Sequence, residues 1–293
     1  MQLGVKLPHT GAAIATGSVP ARARDLESAG FDSLWVSDHV VLPSVITSYY
    51  PFGPEGQVTW AADTPYLEAV VVLAAAAAAT TRVRLGTAVL VVPQRNPVLL
   101  AKQLASVAVI ADGRLDLGVG AGWLSEEFVA LDAPFDRRGA RMLEWIEIMR
   151  DCWTGRPAAH DGPHYRLAAD LLVLPALPAR VPILVGGHSA RALQRAGGIG
   201  DGWLGQQSAL EFDSELLTRE IATVHAAATA AGRDRPPRIV LRIIDSAGRA
   251  DHVAGALSAL AAAGVDEVIV EVDPQFGDPV ADHAVLRDAA EAL

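Results

Sequence analysis

A single cysteine, Cys152, stands in a chain of 293 residues, so no internal disulfide can form and no thiolate cluster can hold a metal. Basic residues are in deficit. Against 34 Asp and Glu there are 24 Lys and Arg, a formal net charge of −10, which repels a phosphate backbone and argues against nucleic acid as a partner. No apolar run reaches the roughly 18 residues that a membrane-crossing helix needs. The richest stretch, residues 69–79, gives way to Thr80-Thr81-Arg82 and reads as a buried helix. The opening Met1-Gln2-Leu3-Gly4-Val5-Lys6 carries no basic leader followed by an apolar segment, so a reducing cytoplasm is the expected setting. The histidines offer no anchor for a metal-centred barrel hydrolase, and no G-x-S-x-G elbow marks a serine nucleophile. A metal site is not expected.

What is present is a large apolar fraction, 51%, with a mean hydropathy of +0.27, enough to bury a sizeable core and too much for disorder. Short apolar runs alternate with longer helical patterns from end to end. Strands are predicted over residues 3–7, 33–36, 83–91, 115–119, 183–185, 202–204, 239–243 and 267–272. Helices are predicted over 19–29, 67–79, 97–110, 138–153, 189–196, 210–231, 250–263 and 279–292. This alternation favours parallel pairing through crossover helices, and a (β/α)8 TIM barrel over residues 1–293, one domain, is the economical α/β architecture. A doubly wound open sheet is the alternative. Two stretches break the rhythm: residues 40–63 after strand two, and residues 155–180 before strand five. The first carries Tyr49, Tyr50, Phe52 and Trp60; the second is rich in Pro and Gly, and a hairpin is expected near residues 164–173.

In a barrel, ligands gather where strands end. Four such ends stand out: Ser37-Asp38-His39, Gly86-Thr87-Ala88-Val89, Gly118-Val119-Gly120-Ala121-Gly122-Trp123 and Gly186-Gly187-His188-Ser189. Singly they are weak signals. Asp followed by His is often a turn and cap. The alternating glycines fall short of G-x-G-x-x-G, and equally suit a crowded barrel mouth. Gly186 to Ser189 is more informative, because small residues admit a ligand to the backbone and the following helix offers free amides to an anion. Ser189 is equally an ordinary N-cap.

Taken together and in order, these strand ends resemble the luciferase-like monooxygenase superfamily, in particular the branch that uses the deazaflavin coenzyme F420. The resemblance also runs through Gly4-Val5-Lys6-Leu7-Pro8, Ala29-Gly30-Phe31-Asp32-Ser33-Leu34-Trp35, Arg95-Asn96-Pro97 and Gly200-Asp201-Gly202-Trp203. It implies a flavin-type ring at the C-terminal mouth, with Asp38 and His39 beside the ring and Thr87 next to it. The Ala88-Val89 bond would be a cis peptide behind the ring. Gly120 and Ala121 would leave room for the cofactor tail, and Gly186, Gly187, His188 and Ser189 would hold its phosphate. His39 is the best general acid/base, since imidazole moves protons both ways near neutrality. Tyr49, Tyr50, Trp60 and Trp123 suit an apolar or aromatic substrate pocket, or else pack core and lid. One departure is plain: Trp123 stands where sugar-phosphate dehydrogenases of the superfamily carry an acidic glutamate, with Glu126 or Glu127 as substitutes one turn on. The expected activity is hydride transfer between F420 and a small organic substrate. The alternatives are an FMN-dependent monooxygenase served by a separate reductase, and a flavin-binding barrel without catalysis. By family analogy the chain is a homodimer, packed through apolar helices such as residues 67–79.

Overall fold

In the computed structural model, residues 1–15, 17–272 and 278–293 are described. Short runs rich in Leu, Val and Ile form eight barrel strands: β1 (Gln2–Lys6), β2 (Ser33–Val36), β3 (Arg84–Val91), β4 (Leu115–Gly120), β5 (Ile183–Gly186), β6 (Gly202–Ser208), β7 (Arg238–Ile244) and β8 (Glu267–Glu271). Each pairs in parallel with its sequence neighbour, and β8 pairs with β1, so the sheet closes on itself. Closure excludes the open-sheet alternative. Between and after the strands lie α1 (Val19–Ala29), α2 (Ala69–Ala79), α3 (Pro97–Ile110), α4 (Ser125–Ala130), α5 (Arg138–Cys152), α6 (Ala190–Gly198), α7 (Ser214–Ala230), α8 (Ala250–Ala263) and α9 (Pro279–Glu291).

Local chemistry sets these limits. Ser18 caps α1 through Ala21 N, and Gly30 ends it at φ 108°. The expected start of α2 moves to Ala69 because Glu68 caps it by accepting from Val71 N; that of α7 moves to Ser214 because Asp213 caps Leu216 N. The hairpin lies earlier than expected, pairing His160 with Leu167 and Asp161 with Arg166. Glu144 of α5 fixes it there, accepting from Tyr165 N at 3.0 Å and from His160 Nε2 at 3.0 Å. His160 and His164 are four apart in sequence but straddle this turn, so they share no helical face. No group of three or more possible metal ligands occurs among the described residues. No helix among them is long and apolar enough to cross a membrane.

Strand periodicity stacks the inward-facing side chains in layers. At the N-terminal end, Asp116 and Glu267 have side chains with 0% exposure. Arg84 grips Asp116 through two bonds of 2.6 and 2.7 Å, and Arg238 bridges Asp116 and Glu267. Trp35 Nε1 donates to Glu267 at 2.9 Å. Above this ionic plug lies an apolar layer of Trp35, Leu184, Leu204, Val240 and Ile269. A side chain at Gly4 or Gly86 would strike the Trp35 indole, so glycine there admits a tryptophan to the barrel axis. The uppermost layer holds Lys6, Ala88, Gly120, Gly186, Gln206, Arg242 and Glu271.

Candidate active site

His39 sits just beyond β2. Its Nδ1 lies 3.2 Å from Glu127 Oε2, and its side chain is 11% exposed. Glu127, from α4, is 1% exposed. It also accepts from Val40 N at 2.6 Å, Val41 N at 3.2 Å and Gln94 Nε2 at 2.9 Å. Burial works against its charge, but the hydrogen bond and charge of His39, with the Gln94 and Val40 donors, hold its carboxyl below the ordinary value. An ionised carboxylate only accepts, so Nδ1 carries the proton and Nε2 is left for a ligand. No described residue bonds Nε2. Glu127 is therefore the partner that orients His39, its carboxylate engaged by protein donors.

Glu126 serves the loop instead. Its carboxylate accepts from Thr47 N at 2.7 Å, Ser48 N at 3.0 Å and Ser48 Oγ at 2.5 Å. Despite a burial penalty, the Ser48 and Thr47 donors hold it well below the usual carboxylate range. Asp38, expected beside a cofactor, is spent on protein: Arg95 binds both its oxygens at 2.7 and 2.8 Å, and Val91 N donates to Oδ2 at 2.9 Å. It fixes the end of β2 against the end of β3. His9, wholly buried, ties Leu7 O and Ser37 O on the other flank.

Ala88-Val89 is a cis peptide, and the β3–β4 register shifts between Thr87 and Leu90. Thr87 is buried and donates to Gly118 O at 2.7 Å. A Cβ at Gly120 would come within 2.6 Å of Val89 Cγ2, and one at Gly186 within 2.7 Å of Val89 Cγ1. Val89, Gly120 and Gly186 thus meet at one place, and no side chain from β4 or β5 fills the mouth there. The next turn runs through Gly187, at φ 115°, into α6, which Ser189 caps through Ala192 N. The His188 ring pins that turn: Nδ1 lies 2.8 Å from Glu220 Oε1, and Nε2 accepts from Gln206 N at 3.0 Å. What the turn offers a ligand is its main chain and the unpaired first-turn amides of α6.

The loop after β2 roofs the mouth with rings. Tyr50 lies 5.1 Å from Trp60 and 4.9 Å from Trp123, centroid to centroid. His39 lies 5.3 Å from Tyr66 and 5.9 Å from Trp123. Phe52 reaches His188 at 5.5 Å. Burial raises both phenols, Tyr66 to about 12. Trp60 and Trp123 are where the aromatic pocket was expected. Tyr49 is not: it is 71% exposed and faces outward, while its neighbour Tyr50 turns in. Sequence reasoning passed over Tyr66, and over three charged residues of the top layer. Lys6 Nζ and Arg242 Nη2 both approach Glu271 Oε1, at 3.6 and 2.9 Å. Arg242 Nη1 also donates to Ala88 O at 3.2 Å. A separate groove of about 440 Å³ runs outside the barrel between the start of α3 and α5 and gathers none of these groups except Gln94 and Arg95.

Comparison with known proteins fits this geometry. An uncharacterised protein of Mycobacterium tuberculosis is 36% identical over 223 residues, covering 76% of this chain and 75% of its own. An F420-dependent hydroxymycolic acid dehydrogenase of the same species is 32% identical over 237 residues, 79% of this chain and 59% of its own. Among solved structures, an F420-dependent secondary alcohol dehydrogenase with an F420–acetone adduct superposes with a TM-score of 0.76 at 18% identity, covering 98% of this chain and 99% of that one. The oxygenating constituent of 3,6-diketocamphane monooxygenase from Pseudomonas putida, with FMN, gives 0.73 at 17% identity, covering 98% and 95%. The family model for luciferase-like monooxygenases matches residues 1–288. The chain belongs to the luciferase-like monooxygenase family.

Proposed function

We propose that the chain is an oxidoreductase that transfers a hydride between the deazaflavin coenzyme F420 and a small organic substrate. One observation carries this reading: a contiguous arc of the mouth built from small residues, Ala88, Gly120 and Gly186, together with a histidine at the neighbouring strand end whose Nδ1 is held by Glu127 and whose Nε2 bonds no described residue. The F420-dependent dehydrogenase at 32% identity supports the cofactor. When bound, a deazaflavin supplies a carbon that gives or takes hydride and does not readily activate dioxygen. Thr87, Ala88, Val89, Gly120 and Ala121 would hold the ring, and Gly186, Gly187, His188 and Ser189 the phosphate, through main-chain amides. Asp38 contributes through Arg95, by fixing the strand end.

The protein's own part is proton management and exclusion of water. Glu127 holds Nδ1–H, so His39 Nε2 takes a proton from a substrate hydroxyl in oxidation and returns it to a carbonyl oxygen in reduction. Tyr50, Tyr66, Trp60 and Trp123 enclose that oxygen. A homodimer is part of the reading, supported by apolar side chains left outside: Val71 of α2 is 66% exposed and Leu99 of α3 59%.

Titration of the protein with F420 and with FMN, read by cofactor fluorescence, tests the assignment. F420 should bind more tightly, and His39→Ala should cut turnover about 100-fold or more with cofactor affinity nearly unchanged. Equal loss of both would make His39 a binding residue. Preference for FMN, with dioxygen uptake when a separate reductase supplies reduced FMN, would establish the monooxygenase reading; tight binding without turnover of any substrate would establish a carrier.

A further inference from the structure

The top layer of the barrel divides into two arcs. β3 to β5 contribute small residues, whereas β6, β7, β8 and β1 contribute Gln206, Arg242, Glu271 and Lys6, which are neighbours round the closed sheet. Lys6, Arg242 and Glu271 keep 23, 15 and 22% of their side-chain surface accessible, although they point into the barrel, so the hollow reaches them. Two cations share a single oxygen of one carboxylate, so this arc by itself carries one more positive charge than negative. Among the described residues, the other carboxylates around the mouth have partners of their own. Asp38 and Glu68 share Arg95, Glu127 accepts from His39, Gln94, Val40 and Val41, and Asp245 lies at the exposed rim, where it accepts from Ser208 Oγ at 2.7 Å. Above the charges, Trp60 Nε1 is a buried donor with no acceptor among the described residues, and Gln206 Nε2 has only the Tyr50 hydroxyl near it. An underused buried donor and a locally cationic arc under an aromatic roof call for the same complement: an anionic oxygen on an apolar body.

We propose that the arc formed by Lys6, Gln206, Arg242 and Glu271 is the substrate subsite, and that it selects a carboxylate carried on an aromatic or apolar skeleton. Lys6 supplies the charge, since its one ionic partner among the described residues is 3.6 Å away, while Arg242 is held rigid by Ala88 O and Glu271. Trp60 and Tyr50 cover the skeleton. The assignment rests on the oxidoreductase reading for the word substrate, but the carboxylate preference stands on these residues alone.

Calorimetric titration of the full chain with benzoate and with its neutral isostere benzamide tests it. Benzoate should bind about ten-fold or more tightly than benzamide. Lys6→Met should abolish that preference and Lys6→Arg should retain it. Equal affinity of the wild type for the two probes, no detectable binding of either, or a preference that survives both Lys6→Met and Arg242→Gln would overturn the proposal. So would a Lys6→Met protein that loses F420 affinity and keeps the benzoate preference, since the charge would then serve the cofactor. Failure to bind either F420 or FMN overturns the oxidoreductase reading instead and leaves the carboxylate preference standing.

Discussion

Four donors converge on the Glu127 carboxylate: His39 Nδ1, Gln94 Nε2, Val40 N and Val41 N. Glu127→Gln would turn an amide NH2 toward at least one of them, and should cost about 1–3 kcal/mol at neutral pH, measurable by urea denaturation. The pH dependence has a definite sign. A carboxyl held below its ordinary value of 4.5 in the folded state adds stability that is complete above that value and is lost as pH falls through the folded one. The wild type should therefore lose more stability than Glu127→Gln on acidification below pH 4.5, and parallel curves would show that Glu127 is not the group responsible. Cys152 makes the opposite case. Its side chain is inaccessible, and burial pushes the thiol up to about 11, so almost no thiolate exists at pH 8. A thiol reagent such as dithionitrobenzoate should react only on unfolding; rapid reaction of the native protein would contradict the packing of α5.

At the scale of elements, the ends of β3, β4 and β5 are coupled through one valine. Val89 has little rotameric freedom, being β-branched, so the Cβ of Gly186→Ala has nowhere to go. This substitution should cost about 1–3 kcal/mol and weaken F420 binding, seen as a fall in thermal midpoint together with a rise in Kd. The loop over the mouth has a comparable tie in Glu126. Glu126→Ala removes the acceptor of Thr47 and Ser48, and limited proteolysis should then cut residues 40–66 faster while the barrel stays resistant. Much at this scale was legible. The limits of α1, α8 and β2 coincide with expectation, since Ser18, Gly30 and Gly264 are chemical stop signals and residues 33–36 are uniformly apolar or small. The helix α4 was not legible. It has six residues and no side-chain cap, so nothing local marks it, although it delivers Glu127.

Over the whole molecule, the ionic plug at the N-terminal end closes the barrel on one side and leaves the strand ends as the way in. Asp116 takes both Arg84 and Arg238, and Asp116→Ala would leave two guanidiniums short of a partner. A loss of about 3–5 kcal/mol is expected, read by denaturant unfolding; a loss below about 1 kcal/mol would show that water reaches the plug. Closure also explains which part of the site could be read in advance. His39 and the glycine turns lie in short local motifs. Arg242 and Glu271 lie in no motif and Lys6 lies in one that gives it no role, and Lys6 meets Glu271 only because β1 pairs with β8. The same ring geometry has a bearing on how such a protein can diversify. Residues that would grip a cofactor and residues that would discriminate among its reaction partners come from opposite sides of one circle, on strands encoded in different stretches of the chain. Changes on one side need not disturb the other, so paired substitutions across the circle should combine without mutual interference, and new specificities can be sampled while the inherited chemistry is kept.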